Sequence, residues 1–197
     1  MAKAAHYGFF AKWWDFFLHP MFFYENVLVE GVERSATFLM PLLLLFLCFQ
    51  SFVYRLPEMT GAAFRFGRFL SLNLFLLSFM VVTFFFLLHG VLRLFRGDGS
   101  IGDTFVSYGY GVVFANLTFI VFAVLAVLAG LFIHPVLALI LFFVYGVLVV
   151  WAAVSIILGL SIAHNIGFIR TVLALIVAGI LATCVFFIST DISYFLF

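Results

Sequence analysis

Residues Arg96 to Asp103, RGDGSIGD, carry the most suggestive chemistry in the chain. Gly97, Gly99 and Gly102 spell G-x-G-x-x-G, whose glycines bring backbone amides up to a pyrophosphate when the motif joins a buried strand to a helix. Arg96-Gly97-Asp98 is also an adhesion tripeptide. Elsewhere, groups able to move a proton, bind a metal or attack carbon are few. His89, His134, His164, Cys48, Cys184, Gln50, Asn73 and Asn116 lie in or beside long apolar runs. No H-x-x-x-H or H-E-x-x-H spacing occurs, and there is no G-x-S-x-G. Neither cysteine has a base beside it in sequence, and in apolar runs both read as small hydrophobes. These residues predict no enzyme, no metal site and no cofactor.

The elements around these residues are almost entirely apolar. Of 197 residues, 68% are hydrophobic and 9% charged, against roughly 25% charged in soluble domains. Such a chain cannot cover itself with a polar surface. The composition predicts an all-α, polytopic membrane helix bundle. A span needs about 20 apolar residues. Residues 35–54 and 69–92 qualify, each bounded by arginines. The uncharged stretch 104–169 is too long for one helix, and His134-Pro135 divides it into spans near 111–133 and 137–161. A fifth span is expected at 170–190, inside a membrane domain of residues 35–190 that is followed by a short tail, 191–197.

Five spans place Lys3, Lys12, Arg34, Arg93, Arg96 and Arg170 on one side and Arg55, Arg65 and Arg68 on the other. The positive-inside rule then predicts a cytoplasmic N-terminus and an outside C-terminus. Lys12 and Asp15 interrupt any secretory-signal core, so entry through the first span is expected. Residues 1–34 differ from the spans. Phe9, Trp13, Phe16 and Pro20 follow helical spacing, with Phe10, Trp14 and Phe17 as an adjoining stripe and charges on the remaining face. That pattern predicts an N-terminal interfacial amphipathic helix that Pro20 kinks or ends; packing as ordinary core against the bundle is the alternative.

Small residues permit close helix approach in lipid. Ala174, Ala178 and Ala182, Ser155, Gly159 and Ala163, and Ala126 with Gly130 recur every fourth position. They predict a tight sub-bundle of the last three spans, with the first two packed more loosely. In this setting RGDGSIGD follows one apolar helix and precedes another. It is a connector, with Gly97 and Gly99 suited to a sharp reversal and Ser100 with Asp103 suited to a capping box. No nucleotide or nucleic-acid partner is expected.

FFLHPMFF (16–23), GDGSIGDTFVSYGYG (97–111) with its Gly109-Tyr110 pair, and WAAVSIILGLS (151–161) together resemble the Yip domain family of Ypt/Rab-interacting membrane proteins, in its short prokaryotic form. The resemblance implies five spans, a cytosolic N-terminus and a prokaryotic cell (inner) membrane location. The proline that follows the family's Gly-Tyr is missing, and the N-terminal segment is shorter than in eukaryotic members, so a Rab-type partner does not carry over. The expected function is non-enzymatic: a scaffold or accessory subunit that binds membrane lipids, an isoprenoid chain, a membrane-protein partner or a second copy. The expected binding residues are Trp13, Trp14, Pro20, Phe22, Phe23, Arg93, Arg96, Asp98, Asp103 and Tyr110. The alternative is a transporter or lipid-translocating protein for a small apolar or lipidic substrate, with Gln50, Asn73, Asn116 or Tyr145 lining its path.

Overall fold

The structure, a computed structural model, describes residues 8–54, 66–132 and 134–196. Its described residues form seven helices: α1 Phe9–Leu18, α2 Pro20–Glu30, α3 Val32–Tyr54, α4 Phe66–Leu94, α5 Ile101–Phe132, α6 Pro135–His164 and α7 Phe168–Leu196. Among the described residues, three stretches are long and apolar enough to cross a membrane: Ile101–Leu131, Leu139–His164 and Phe168–Val185. α4 contributes a shorter apolar stretch, Phe79–Leu94.

Local sequence accounts for the breaks among the described residues. Pro20 opens α2 at a position that needs no N–H, and His19 before it leaves the helical region (φ −135°, ψ 59°). Gly31 separates α2 from α3 at φ 90°, ψ 157°, a conformation that essentially only glycine adopts. α4 ends with Arg96 left-handed (φ 67°). There Gly97 N–H donates to Leu92 O (3.0 Å) and Arg96 N–H to Arg93 O (3.0 Å), the paired bonds of a Schellman motif. α6 ends in the same way at Asn165, φ 50°, with Ile166 N–H on Ser161 O (3.1 Å) and Asn165 N–H on Ile162 O (3.2 Å). His134 caps α6, its Nδ1 accepting the Val136 N–H. α5 begins at Ile101, ten residues before the span expected at 111, because Ser100 and Asp103 close a reciprocal cap there.

The packing closes a ring. α5 and α6 share the longest seam, α6 touches α7, α7 lies along α4, and α3 bridges α4 and α5. α1 and α2 sit against α5 and α6. This differs from a sub-bundle of the last three spans, since α7 takes α4 as its main partner. The reason is shape. Ala174 and Ala178 are fully buried in one cluster with Leu88, Val91 and Leu92 of α4 and Leu160 of α6, so large side chains fill the space that the alanines leave. Ala182 is half-buried further along. Gly159 receives α2, since a Cβ there would collide with the Tyr24 ring, and Ser155 is buried. Ala163 is half-buried where its carbonyl meets Gly99. On α5, Ala129 is buried while Ala126 is half-buried and Gly130 exposed, so the seam runs one position away from that stripe.

Candidate functional site

Lys12 and Glu30 form an ion pair although 18 residues apart in sequence. In one continuous helix they would stand about 27 Å apart. The His19–Pro20 break, expected to kink or end an interfacial helix, folds α1 back on α2 as a short helical hairpin. The Lys12 and Glu30 side chains are only 11% and 8% exposed, and a buried ion pair needs further partners to offset desolvation. Tyr110 supplies one, its hydroxyl accepting from Lys12 Nζ at 3.2 Å. The ammonium also lies 5.4 Å from the Tyr110 ring centroid and 5.8 Å from that of Phe38, within cation–π range. The two rings stack at 5.7 Å.

Beneath this clamp the inner faces of α1 and α2 merge with the bundle. Phe16 and Phe23 are buried against Phe114 (5.3 and 5.7 Å between centroids), and Phe23 meets Tyr110 edge-on at 5.4 Å. Tyr24 fills the notch at Gly159. Burial there pushes its hydroxyl pKa up, and the hydroxyl has no hydrogen-bond partner among the described residues. Two tryptophans tie the hairpin further along the bundle. Trp13 Nε1–H donates to Thr118 Oγ1 (3.4 Å), and Trp151 Nε1–H of α6 donates to Phe17 O (2.7 Å). Thr118 is about 26 Å along α5 from Ile101, so the hairpin leans well down the α5–α6 face. The outer face is apolar too: Phe10, Trp14, Leu18, Met21 and Phe22 are all more than half exposed.

The expected binding residues thus divide. Trp13, Pro20, Phe23 and Tyr110 are drawn into or against the core, while Trp14 and Phe22 stay on the outer face. Arg93, Arg96 and Asp98 are exposed on the α4–α5 turn. Asp103 has its carboxylate committed to Ser100 N–H (2.8 Å) and Oγ (2.7 Å). The turn meets the hairpin end where Gly102 faces Val32. It also docks on the end of α6: Asp98 N–H donates to His164 O (3.1 Å), and a Cβ on Gly97 would meet the His164 ring. Thr104 Oγ1 then bridges His164 Nε2 (2.7 Å) and His89 Nδ1 (2.8 Å). These contacts join all three connections, 30–32, 95–100 and 165–167, at one end of the bundle.

The pattern of residues in sequence does not single out Lys12, Glu30, Phe38 or Thr104, because each acts through a partner distant in the chain. Lys12 did carry a signal, as a lone cation within an aromatic run. Among the described residues no group of three or more His, Cys, Asp or Glu is placed to hold a metal ion. Gln50 and Asn73, expected on a transport path, have side chains outside the described residues. Asn116 donates to Val112 O within its own helix (2.8 Å), and Tyr145 packs near Phe119 and Phe122.

The described residues form an all-helical bundle with three membrane-length apolar stretches and a docked aromatic hairpin, the architecture of an integral membrane protein. The chain matches the family model of the Yip1 domain over residues 14–189, and it belongs to the Yip1 domain family. Comparison with curated proteins and with solved structures returned no match.

Proposed function

We propose that this protein is a non-enzymatic, five-span scaffold or accessory subunit that recruits a membrane-protein partner through the outer face of the α1–α2 hairpin. The observation that carries this reading is a contrast between two faces of one small element. The inner face is clamped by Lys12, Glu30 and Tyr110. The outer face presents Phe10, Trp14, Met21 and Phe22, each more than half exposed, and exposed apolar groups gathered on one small element mark interaction sites. Rigid aromatic groups on a pre-set scaffold lose little entropy on binding and are the usual energetic anchors of interfaces. Arg93, Arg96 and Asp98, exposed on the adjoining turn, supply a polar rim. α3 to α7 are the five spans, and the Lys/Arg bias favours a cytoplasmic position for the turns at 95–100 and 165–167 and for the Gly31 end of the hairpin beside them.

A photo-crosslinking amino acid at position 14, illuminated in native membranes, tests this. Discrete adducts with one protein species, including a second copy of the chain, are expected, and they should disappear when Phe22 is also replaced by Ser. Adducts with lipid alone at position 14 overturn the proposal.

A further inference from the structure

The α4–α7 seam changes character along its length. Near the turns it is closed by Ala174 and Ala178 packed among Leu88, Val91 and Leu92. Beyond Ala178 the helices part around a groove of about 460 Å³, lined by Phe79, Thr83, Phe84, Tyr108, Gly179 and Phe187 among others. This volume lies within the range of small-ligand sites, roughly 300–1,000 Å³. Phe79 and Phe187 are exposed at its margin, so the groove opens sideways toward lipid.

The chemistry of the lining names the occupant. The walls are hydrocarbon, which suits a single chain. Tyr108, its ring 5.4 Å from Phe84, and Thr83 bring hydroxyl-bearing side chains to the lining of the groove. The Thr183 hydroxyl is committed to Gly179 O at 2.8 Å. A hydroxyl in apolar surroundings is costly unless it is paired, and an acceptor oxygen on the ligand relieves that cost. Tyr108 stands only four residues, about 6 Å, along α5 from the Thr104 bridge at the turn end. In a bilayer this is the depth at which belt tyrosines meet the polar part of the lipid. We infer that the α4–α7 groove binds one acyl chain of an ester-linked membrane lipid, its carbonyl oxygen accepting the Tyr108 hydroxyl. The site is separate from the hairpin face and shares with that reading only the placement of the bundle in a membrane.

The test uses the full chain in phosphatidylcholine vesicles containing a phosphatidylcholine with a photoreactive group on one acyl chain. Adducts are expected to concentrate on residues 79–84 and 179–187. Gly179→Leu should remove most of them, since a Cβ at Gly179 meets nothing within 4 Å and the leucine would fill the groove without displacing protein atoms. Tyr108→Phe should lower adduct yield about 2- to 10-fold, as expected for one lost hydrogen bond. An ether-linked probe that lacks the carbonyl should label the unaltered chain at the level of that variant. If Gly179→Leu fails to fold, the ester–ether comparison on the unaltered chain decides. Adducts spread evenly over α3 to α7 mean annular lipid only and overturn the inference. Equal labelling by ester and ether probes, or displacement of the ester lipid by a photoreactive farnesyl probe, does so too. A null result at position 14 leaves this readout unaffected.

Discussion

Lys12 shows what a single charge does when a fold takes it out of water. Its ammonium is shared among the Glu30 carboxylate, the Tyr110 hydroxyl and two ring faces, so removing it leaves a buried carboxylate without its Lys12 partner. Lys12→Ala should therefore destabilise the protein by about 3–5 kcal/mol, the cost of breaking a buried pair on one side. Removing both charges in Lys12→Met with Glu30→Leu should restore most of that loss. Thermal unfolding of the three variants in detergent reads the difference, and a double variant no better than the single one would refute the buried pairing. Asp103 illustrates the opposite case. Read in sequence as a possible contact for a partner, it is occupied by the cap at Ser100.

At the scale of elements, the connections are as tightly specified as the helices. The turn from α4 to α5 lies on the end of α6, and Gly99 passes so close to the Ala163 carbonyl that a Cβ would overlap it. Backbone cannot swing aside as a flexible side chain can. Gly99→Ala should cost roughly 1–3 kcal/mol through overpacking. Gly167→Ala, where a Cβ would meet nothing within 4 Å, should stay within about 0.5 kcal/mol of the parent. The same unfolding measurement distinguishes them, and equal losses would show that the turn does not rest on α6. The glycines that resemble a nucleotide fingerprint thus serve close packing, and the family match over residues 14–189 agrees with a connector between two helices.

Across the whole molecule, the ring of α3 to α7 depends on α7 finding α4. Ala174 and Ala178 have no exposed surface, and enlarging either pushes two helices apart along their length. Ala178→Leu should destabilise by about 1–3 kcal/mol and should raise the reactivity of cysteines placed at Leu88 and Ala174 toward a membrane-permeant maleimide. Unchanged reactivity would place the α7 contact elsewhere. Much of the helix content and the breaks at Pro20, at 95–100 and at His134-Pro135 were legible in the chain, because hydropathy, prolines and the Ser100–Asp103 pair act within a few residues of themselves, whereas the break at Gly31 was not read. The partner of α7 was not legible. A small-residue stripe announces that something may approach closely, and it carries no address for what approaches.

The sequence by itself determined the medium, the helices and most of their ends, since transfer of apolar side chains out of water and the geometry of caps and prolines are local properties. Tertiary structure alone decided that the N-terminal aromatics fold back as a hairpin, that Lys12 meets Glu30 and Tyr110, and that the α4–α7 seam opens beyond Ala178. Those outcomes depend on which surfaces fit across long separations in the chain. Complementarity of that kind belongs to pairs of elements and cannot be read from either one.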